Sequence, residues 1–210
     1  MAMVSCFKQT IIFNQDNKSG EMIIEYSLTD DLYQLLDMGI ANMPGDNEIN
    51  LDSTMLLEKE LIMEEFAKKK QLVEPVKVNI ELNENQYKGF IHFKFNSFDE
   101  LLKELPLDYM PVNVVRENNK ITITQNINTS SMEELEILKE FLAQQKESDI
   151  EYFDNIKNNV NFSFLLKTPR DITNSSGGKI EKNKKNINWS FKLVDLLDET
   201  AAAKKFEVTF

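Results

Sequence analysis

The sequence has few of the residues on which many functional classes depend, with one cysteine, one histidine and six glycines among 210 residues. A single cysteine excludes an intrachain disulfide framework. A single histidine excludes a His-based catalytic triad and a multi-histidine metal site. Gly177 and Gly178 form neither a P-loop nor a dinucleotide fingerprint, because the downstream Lys-Ser/Thr pair and the strand-to-helix setting are both missing. We therefore expect no enzymatic activity and no cofactor.

Positive charge is also scarce, since the formal net charge is −11 at pH 7 and the isoelectric point is about 4.7. This balance argues against broad nucleic-acid binding, which needs a basic face, and it disfavours acidic substrates as bulk partners. The chain has no run of about 18 apolar residues, so we expect no membrane-spanning helix. It also lacks a complete signal peptide.

Residues 76–105 have the pattern of two strands, a turn and a helix. The apolar positions predicted to share one face of the first strand are Val76, Val78, Ile80 and Leu82. A turn over residues 83–88 follows, and Gly89 opens the return strand, where Ile91, Phe93 and Phe95 alternate with Phe90, His92 and Lys94. Ser97 and Glu100 then form a capping box that predicts the start of a helix.

Residues 7–36 show the same plan after a shift of 69 positions, with Gly20 aligned to Gly89. We interpret 7–36 and 76–105 as a duplicated ββα unit. The alternative is that antiparallel α+β proteins reuse this supersecondary unit without duplication.

The whole pattern predicts a single α+β domain over residues 7–210, in which antiparallel β hairpins form a curved sheet and helices pack on one side. The helices are expected near 30–38, 54–70, 98–105 and 132–146. Further strands are expected at 112–116, 120–127, 161–167, 186–193 and 206–210.

Two single residues could carry chemistry but have a simpler explanation. His92 lies on the outward parity of its strand, which favours a solvated histidine over a catalytic one. Trp189 shares the parity of Ile187 and Phe191, which favours a core position over a role in ligand stacking.

Residues 179–185 form the one positive cluster of this acidic chain. Its cations are Lys179, Lys182, Lys184 and Lys185. These lysines could hold an anionic headgroup at the mouth of a site or at a membrane surface. The alternative is that they only protect an exposed hairpin edge from association.

The segment Met3-Val4-Ser5-Cys6 places a small residue directly before a cysteine, and a strand follows at once. Together with the turn Asn14–Gly20, the strand Phe162–Lys167 and the strand around Asn188-Trp189-Ser190, this start resembles the LppM-like bacterial lipoproteins. A buried structural cysteine is the rival interpretation of Cys6.

The resemblance implies a domain tethered through a lipid on Cys6 and displayed in the bacterial cell envelope, outside the cytoplasmic membrane. Residues 1–6 are then vector residues and the remnant of a lipobox. The resemblance further implies a non-catalytic module that binds a lipid, glycolipid or other amphiphile. The alternative is a scaffold lipoprotein that binds a protein partner through its acidic helix face or a strand edge.

Overall fold

The computed structural model describes residues 6–29, 59–83, 86–104, 112–117, 120–127, 154, 157–197 and 204–210. Within these ranges the chain is mostly β-strand with few helices, so it is a mixed α/β protein. The strands are β1 (Cys6–Phe13), β2 (Gly20–Thr29), β3 (Val73–Asn83), β4 (Gln86–Phe95), β5 (Val112–Glu117), β6 (Lys120–Ile127), β7 (Asn161–Lys167), β8 (Asn174–Ser176), β9 (Lys179–Ile180), β10 (Asn186–Lys192) and β11 (Lys204–Thr209). The helices are α1 (Lys59–Lys68), α2 (Phe98–Glu104) and α3 (Leu193–Leu197).

The strands form two sheets where the sequence pattern predicts one. Sheet 1 has the order β3-β4-β2-β1-β7-β10-β9, and sheet 2 has the order β5-β6-β11-β8. The predicted hairpins β1–β2, β3–β4 and β5–β6 are all present and antiparallel. Sheet 2 separates because the third hairpin pairs with the C-terminal strand β11 and not with the first two hairpins.

One pairing differs in direction from the antiparallel pattern that the sequence predicts. β1 pairs with β7 in parallel, with Cys6 opposite Asn161 and Ile12 opposite Lys167. Hairpin signals are local and concern neighbouring strands, whereas this pair joins segments far apart in the sequence. The parallel pair places the N-terminal strand in the interior of sheet 1.

The turn of the first hairpin is held by one side chain. The carboxylate of Asp16 accepts hydrogen bonds from the backbone N–H groups of Lys18 and Ser19 at 2.8 and 2.9 Å. The bond from Lys18, followed by the bond from the Ser19 hydroxyl, holds the pKa of Asp16 below its usual value. Asn17 takes a positive φ of 58° at the tip, a conformation that asparagine tolerates better than most residues.

The second hairpin has a shorter turn than predicted. β3 runs to Asn83 and β4 begins at Gln86, so the predicted turn over residues 83–88 is wrong and Gly89 lies inside a strand. Gly89 pairs with Ile80, whereas Gly20 in the first hairpin pairs with Phe13 at the strand end. An ungapped duplication would place Gly89 opposite Leu82, so the two hairpins differ in register by two residues.

Strand β3 also corrects the prediction for Val76, which is 47% exposed. The pairing of β3 with β4 shifts between Pro75 and Lys77, because proline has no N–H for the ladder and a β-bulge absorbs the extra residue. Val73 is the buried residue on the near side of the shift, and Val78 and Ile80 are partly buried beyond it.

Two of the four predicted helices, those near 54–70 and 98–105, lie in the described part of the chain, and α1 and α2 are found there. α2 begins directly after Ser97, whose hydroxyl accepts a hydrogen bond from the N–H of Glu100 at 3.3 Å. α1 covers part of the predicted 54–70 helix and buries Ile62. The predicted helices near 30–38 and 132–146 lie outside the described residues, so the one-sided helix layer and the duplicated ββα unit stay predictions.

The core lies against one face of sheet 1, which we call the inner face. Successive residues of a strand point to opposite faces, so Phe13, Met22, Ile91, Phe93 and Phe95 all project from this face into one apolar cluster. Phe98 and Leu101 of α2 and the inward residues of sheet 2 complete the cluster. Arg116 links these parts, since it donates to Asp99 of α2 at 3.0 Å and to the carbonyl of Asn17 at 2.7 Å.

Candidate functional site

The inner face of sheet 1 carries an aromatic cluster on strands β1, β7 and β10. Its members are Phe7, Phe162, Phe164, Trp189 and Phe191. The register brings them together, because Phe7 lies opposite Phe162 and Phe162 lies opposite Phe191. The rings of Phe162 and Phe191 stack with centroids 5.0 Å apart. The sequence prediction that Trp189 is a core residue is confirmed, since it is 7% exposed.

Among the described residues, ring contacts between sheet 2 and sheet 1 occur at only one end of the aromatic cluster. Among the described residues, the rings of the two sheets meet where Phe13 lies 5.7 Å from Phe210 and where Trp189 stacks on Phe206 at 5.1 Å. Phe7 and Phe162 lie towards the other end of the strands and keep partial exposure. The cluster is therefore buried at Trp189 and open in part at the end where β1 begins.

Two polar side chains lie on the same face near the open end. The side-chain amide of Gln9 donates to the thioether sulfur of Met22 at 3.3 Å, and thioether sulfur is a weak acceptor. Burial raises the pKa of the Tyr26 phenol to about 12, so this ring is neutral at physiological pH. These two neighbours of Phe7 on the described strands are therefore uncharged, and the amide of Gln9 could orient a polar group.

Cys6 is the first residue of β1, and strand alternation places its side chain on the outer face of sheet 1, opposite to the face of Phe7. It pairs with Ser27 on one side and with Asn161 on the other, and it is exposed. The rival interpretation of a buried structural cysteine is therefore wrong. Lipid attachment at Cys6 stays a prediction, and it would place acyl chains at the end of β1 where Phe7 lies on the opposite face.

The predicted headgroup-binding lysines lie on the β9–β10 hairpin, which we call the lysine loop (residues 179–185). Lys179, Lys182, Lys184 and Lys185 are all exposed. The side-chain oxygen of Asn183 accepts hydrogen bonds from the N–H groups of Lys185 and Asn186 at 2.9 and 3.1 Å, which fixes the turn.

The register places Cys6 and the lysine loop at opposite ends of sheet 1. Cys6 lies in the row of Asn161 and Lys192, while Ile12 lies in the row of Lys167 and Asn186, next to the loop. Six residues of strand separate these rows, which corresponds to about 20 Å. If Cys6 were lipidated as predicted, the loop could reach the same bilayer only with the strands lying along the membrane.

His92 lies on the outer face of sheet 1, as predicted, but it is partly buried and paired. Its Nε2 atom lies 2.8 Å from the carboxylate of Glu21 on the neighbouring strand. The pattern did not identify Glu21 as the partner because the pairing of β2 with β4 joins the two hairpins and leaves no local signal. Across the described ranges, no three His, Cys, Asp or Glu side chains are grouped as metal ligands.

Comparison with known proteins gives weak structural likeness without a match in sequence. No protein-family profile and no curated protein matches the sequence. The folded domain of the Mycobacterium tuberculosis LppM protein, solved by NMR, is similar over 100% of this chain and 90% of its own, with 11% identity and a TM-score of 0.49. Among the helices that the structure describes, none combines the length and apolar character needed to cross a bilayer.

Proposed function

We propose that the protein is a lipid-anchored module of the bacterial cell envelope, outside the cytoplasmic membrane, that binds an amphiphile without catalysing a reaction. The observation that supports this function best is the partly exposed aromatic surface of Phe7 and Phe162, at the same end of β1 as the exposed Cys6. An apolar surface with few polar groups is the usual lining of a lipid or small-molecule site.

The open end of the aromatic cluster suits a hydrocarbon chain. Each methylene that leaves water contributes about 0.8 kcal/mol, so a short contact with an acyl chain gives useful affinity. Phe162 already stacks on the buried ring of Phe191, which leaves the partly exposed rings of Phe162 and Phe7 as a preformed contact. The amide of Gln9 can donate to a carbonyl or hydroxyl of the ligand more strongly than it donates to sulfur.

Lipidation of Cys6 supplies the anchor in this proposal. One acyl chain binds a membrane only marginally, whereas several chains on one residue hold a protein stably. We expect intact mass spectrometry of the product made from the complete gene to show acyl chains on Cys6. Cys6→Ser is the control, and it should leave the protein unacylated and outside the membrane fraction. An unmodified Cys6 in the native product would exclude the anchor.

Amphiphile binding is testable through Trp189, because it is the only tryptophan and it contacts Phe164 within the aromatic cluster. We expect a fatty acid brominated near the chain terminus to quench its fluorescence saturably. Phe162→Ser should weaken this binding about tenfold, since it removes roughly 1.5 kcal/mol of apolar contact. The control is Val76→Ser, an exposed apolar residue on the far edge strand, which should leave the affinity unchanged.

The result also separates the two function classes. The amphiphile site is supported if the quenching is saturable, if Phe162→Ser weakens it and if Val76→Ser leaves it unchanged. Quenching that never saturates, or that both variants affect equally, would contradict it and favour the scaffold alternative. Thermal unfolding of each variant establishes that a lost signal does not come from a lost fold.

A further inference from the structure

The lysine loop faces away from the proposed anchor. Lys185 directly precedes Asn186, which lies in the row of Ile12, and Cys6 begins the opposite end of the same sheet. With β1 rising from a bilayer at Cys6, the loop stands about 20 Å above the row that borders the membrane. This orientation rests on the proposed function, and it directs the loop towards the space outside the membrane.

Positive charge is concentrated around this loop although the chain as a whole is acidic. Residues 167–185 contain six cationic side chains and two anionic ones. One of the two carboxylates, that of Glu181, accepts a hydrogen bond from the side-chain amide of Asn186 at 2.8 Å. A negatively charged ligand is repelled by most of the surface, so this region is where charge complementarity favours it.

The backbone of the loop is fixed before any ligand binds. The carbonyl of Lys184 accepts from the N–H of Ile172 at 2.7 Å, and the carbonyl of Lys185 accepts from the N–H of Thr168 at 2.8 Å. The Thr168 hydroxyl donates to the Lys185 carbonyl as well, at 2.9 Å. Because segment 168–172 holds the loop, the lysines project from a defined position, which lowers the entropy lost on binding.

Lys184 occupies a backbone conformation that lysine does not favour. Its φ is 57°, in the left-handed region that glycine adopts freely and that costs any residue with a Cβ. Its exposed side chain has no described packing role that would explain a lysine here. The turn geometry favours glycine at this position, and lysine differs from glycine by its positively charged side chain.

A strip of polar side chains extends from the loop across the outer face of β7 and β10. The Glu181 carboxylate accepts from the Asn186 side chain at the loop end, and the Asp195 carboxylate accepts from the N–H of Lys192 at the other end. The polar residues that share this parity are Asn161, Ser163, Lys167, Asn186, Asn188, Ser190 and Lys192. Asn188, Ser190 and Lys192 are exposed, and the Ser163 hydroxyl donates to the Asn188 carbonyl oxygen at 3.0 Å. The strip therefore offers amides and hydroxyls between lysines at its two ends.

We propose that the lysine loop and this strip bind a linear polymer of phosphodiester-linked polyols or sugars on the outer side of the membrane. Lysines bind phosphates as point charges, while asparagine and serine side chains can exchange hydrogen bonds with the hydroxyls of the repeat. The contacts are exposed and individually weak, so affinity comes from engaging several repeats at once. A ligand with one phosphate would use only part of the strip.

The test uses a fluorescently labelled, water-soluble poly(glycerol phosphate) without a lipid, titrated with the full chain and followed by anisotropy. Four lysine contacts predict an affinity loss of about 50-fold between 50 and 200 mM salt. Lys184→Gly should reduce the affinity about fivefold without loss of thermal stability, because glycine suits the left-handed turn. Lys184→Arg should retain the affinity.

Lys77→Gln is the matched control, since it removes one exposed lysine from the far edge of sheet 1. It should leave the affinity unchanged, and an equal effect of Lys77→Gln and Lys184→Gly would overturn the proposal. So would a lack of binding to the polymer at 50 mM salt.

A second arm separates the polymer from an anionic bilayer as the ligand. The chain is coupled through its exposed Cys6 to a maleimide lipid in phosphatidylcholine vesicles, and it should still bind the polymer. Loss of polymer binding after coupling would overturn the proposal. So would lysine-dependent binding of the free chain to phosphatidylglycerol vesicles that is as tight as its binding to the polymer. Neither arm uses the brominated fatty acid, so failure of the amphiphile site gives a separate result.

Discussion

Gly89→Ala is expected to lower the free energy of unfolding by about 3 kcal/mol, at the upper end of the cost of overpacking a core. A Cβ at Gly89 would lie 1.9 Å from Cζ and 2.1 Å from Cε1 of Tyr26, which pairs with Gly89 across β2 and β4. Tyr26 is 5% exposed, so its ring has little room to move away. Urea unfolding of the purified variant measures the loss.

A double-mutant cycle identifies the ring of Tyr26 as the cause. Tyr26→Leu alone should cost about 2 kcal/mol through the cavity that it leaves. The double variant should be less destabilised than the two single effects combined, by at least about 1 kcal/mol, because leucine does not reach the new methyl group. Lys88→Ala, at the exposed neighbouring position, is the control and should have little effect. Additive losses would contradict this explanation.

Phe98→Ala is expected to lower the free energy of unfolding by about 4 kcal/mol, because the ring is removed from the centre of the core. Phe98 is 1% exposed, and its ring lies 5.1 Å from that of Phe13 and 5.5 Å from that of Phe95. Its N–H donates to the carbonyl of Lys18 at 2.9 Å, so it also connects α2 to the first hairpin turn. Removing the ring leaves a cavity between elements that cannot easily close.

The measurement is the midpoint and slope of chemical unfolding, with two comparisons. Phe98→Leu fills most of the volume and should lose roughly 1–2 kcal/mol. Met63→Ala in α1 removes a 40%-exposed side chain and should stay within about 0.5 kcal/mol of the parent. If Phe98→Ala were no worse than Met63→Ala, the central role of Phe98 in the core would be wrong.

Local elements of this fold were predictable from the sequence because their signals are local. The alternation of Ile91, Phe93 and Phe95 identifies the buried face of β4, and all three are buried. The strand over residues 161–167 has the bounds that the pattern predicts, and α2 begins at its predicted cap. In each case neighbouring residues carry the whole signal, through side-chain parity or a capping hydroxyl.

Features that depend on distant partners were not predictable in this way. The local sequence places Gly89 next to a turn. Only its pairing with Tyr26 shows that the missing Cβ leaves space for the tyrosine ring. Pro75 contributes a bulge whose register is set by β4, and this exposes Val76. The separation of the strands into two sheets likewise depends on β11 choosing β6 as its neighbour.

The candidate site was predictable as residues but not as an arrangement. The sequence identifies Cys6 and the lysines of residues 179–185 as unusual, and both are exposed. It gives no measure of their separation, which follows from the register of β1, β7 and β10. The contact between Phe7 and Phe162 was not predictable, because the two residues are far apart in the sequence and only the pairing of β1 with β7 brings them together.

The parallel pairing of β1 with β7 bears on how the chain reaches this structure. Cys6 meets Asn161, about 155 residues later, so β1 lacks one of its two neighbours until the segment that contains β7 has been synthesised. Closing so long a loop costs entropy before any contact compensates for it, and folds with such distant pairings reach the native state in milliseconds to seconds. Until then β1 has an unpaired edge, which leaves the nascent chain open to association with other strands. Sheet 1 is therefore completed only after most of the chain has been made, although its hairpins can pair earlier.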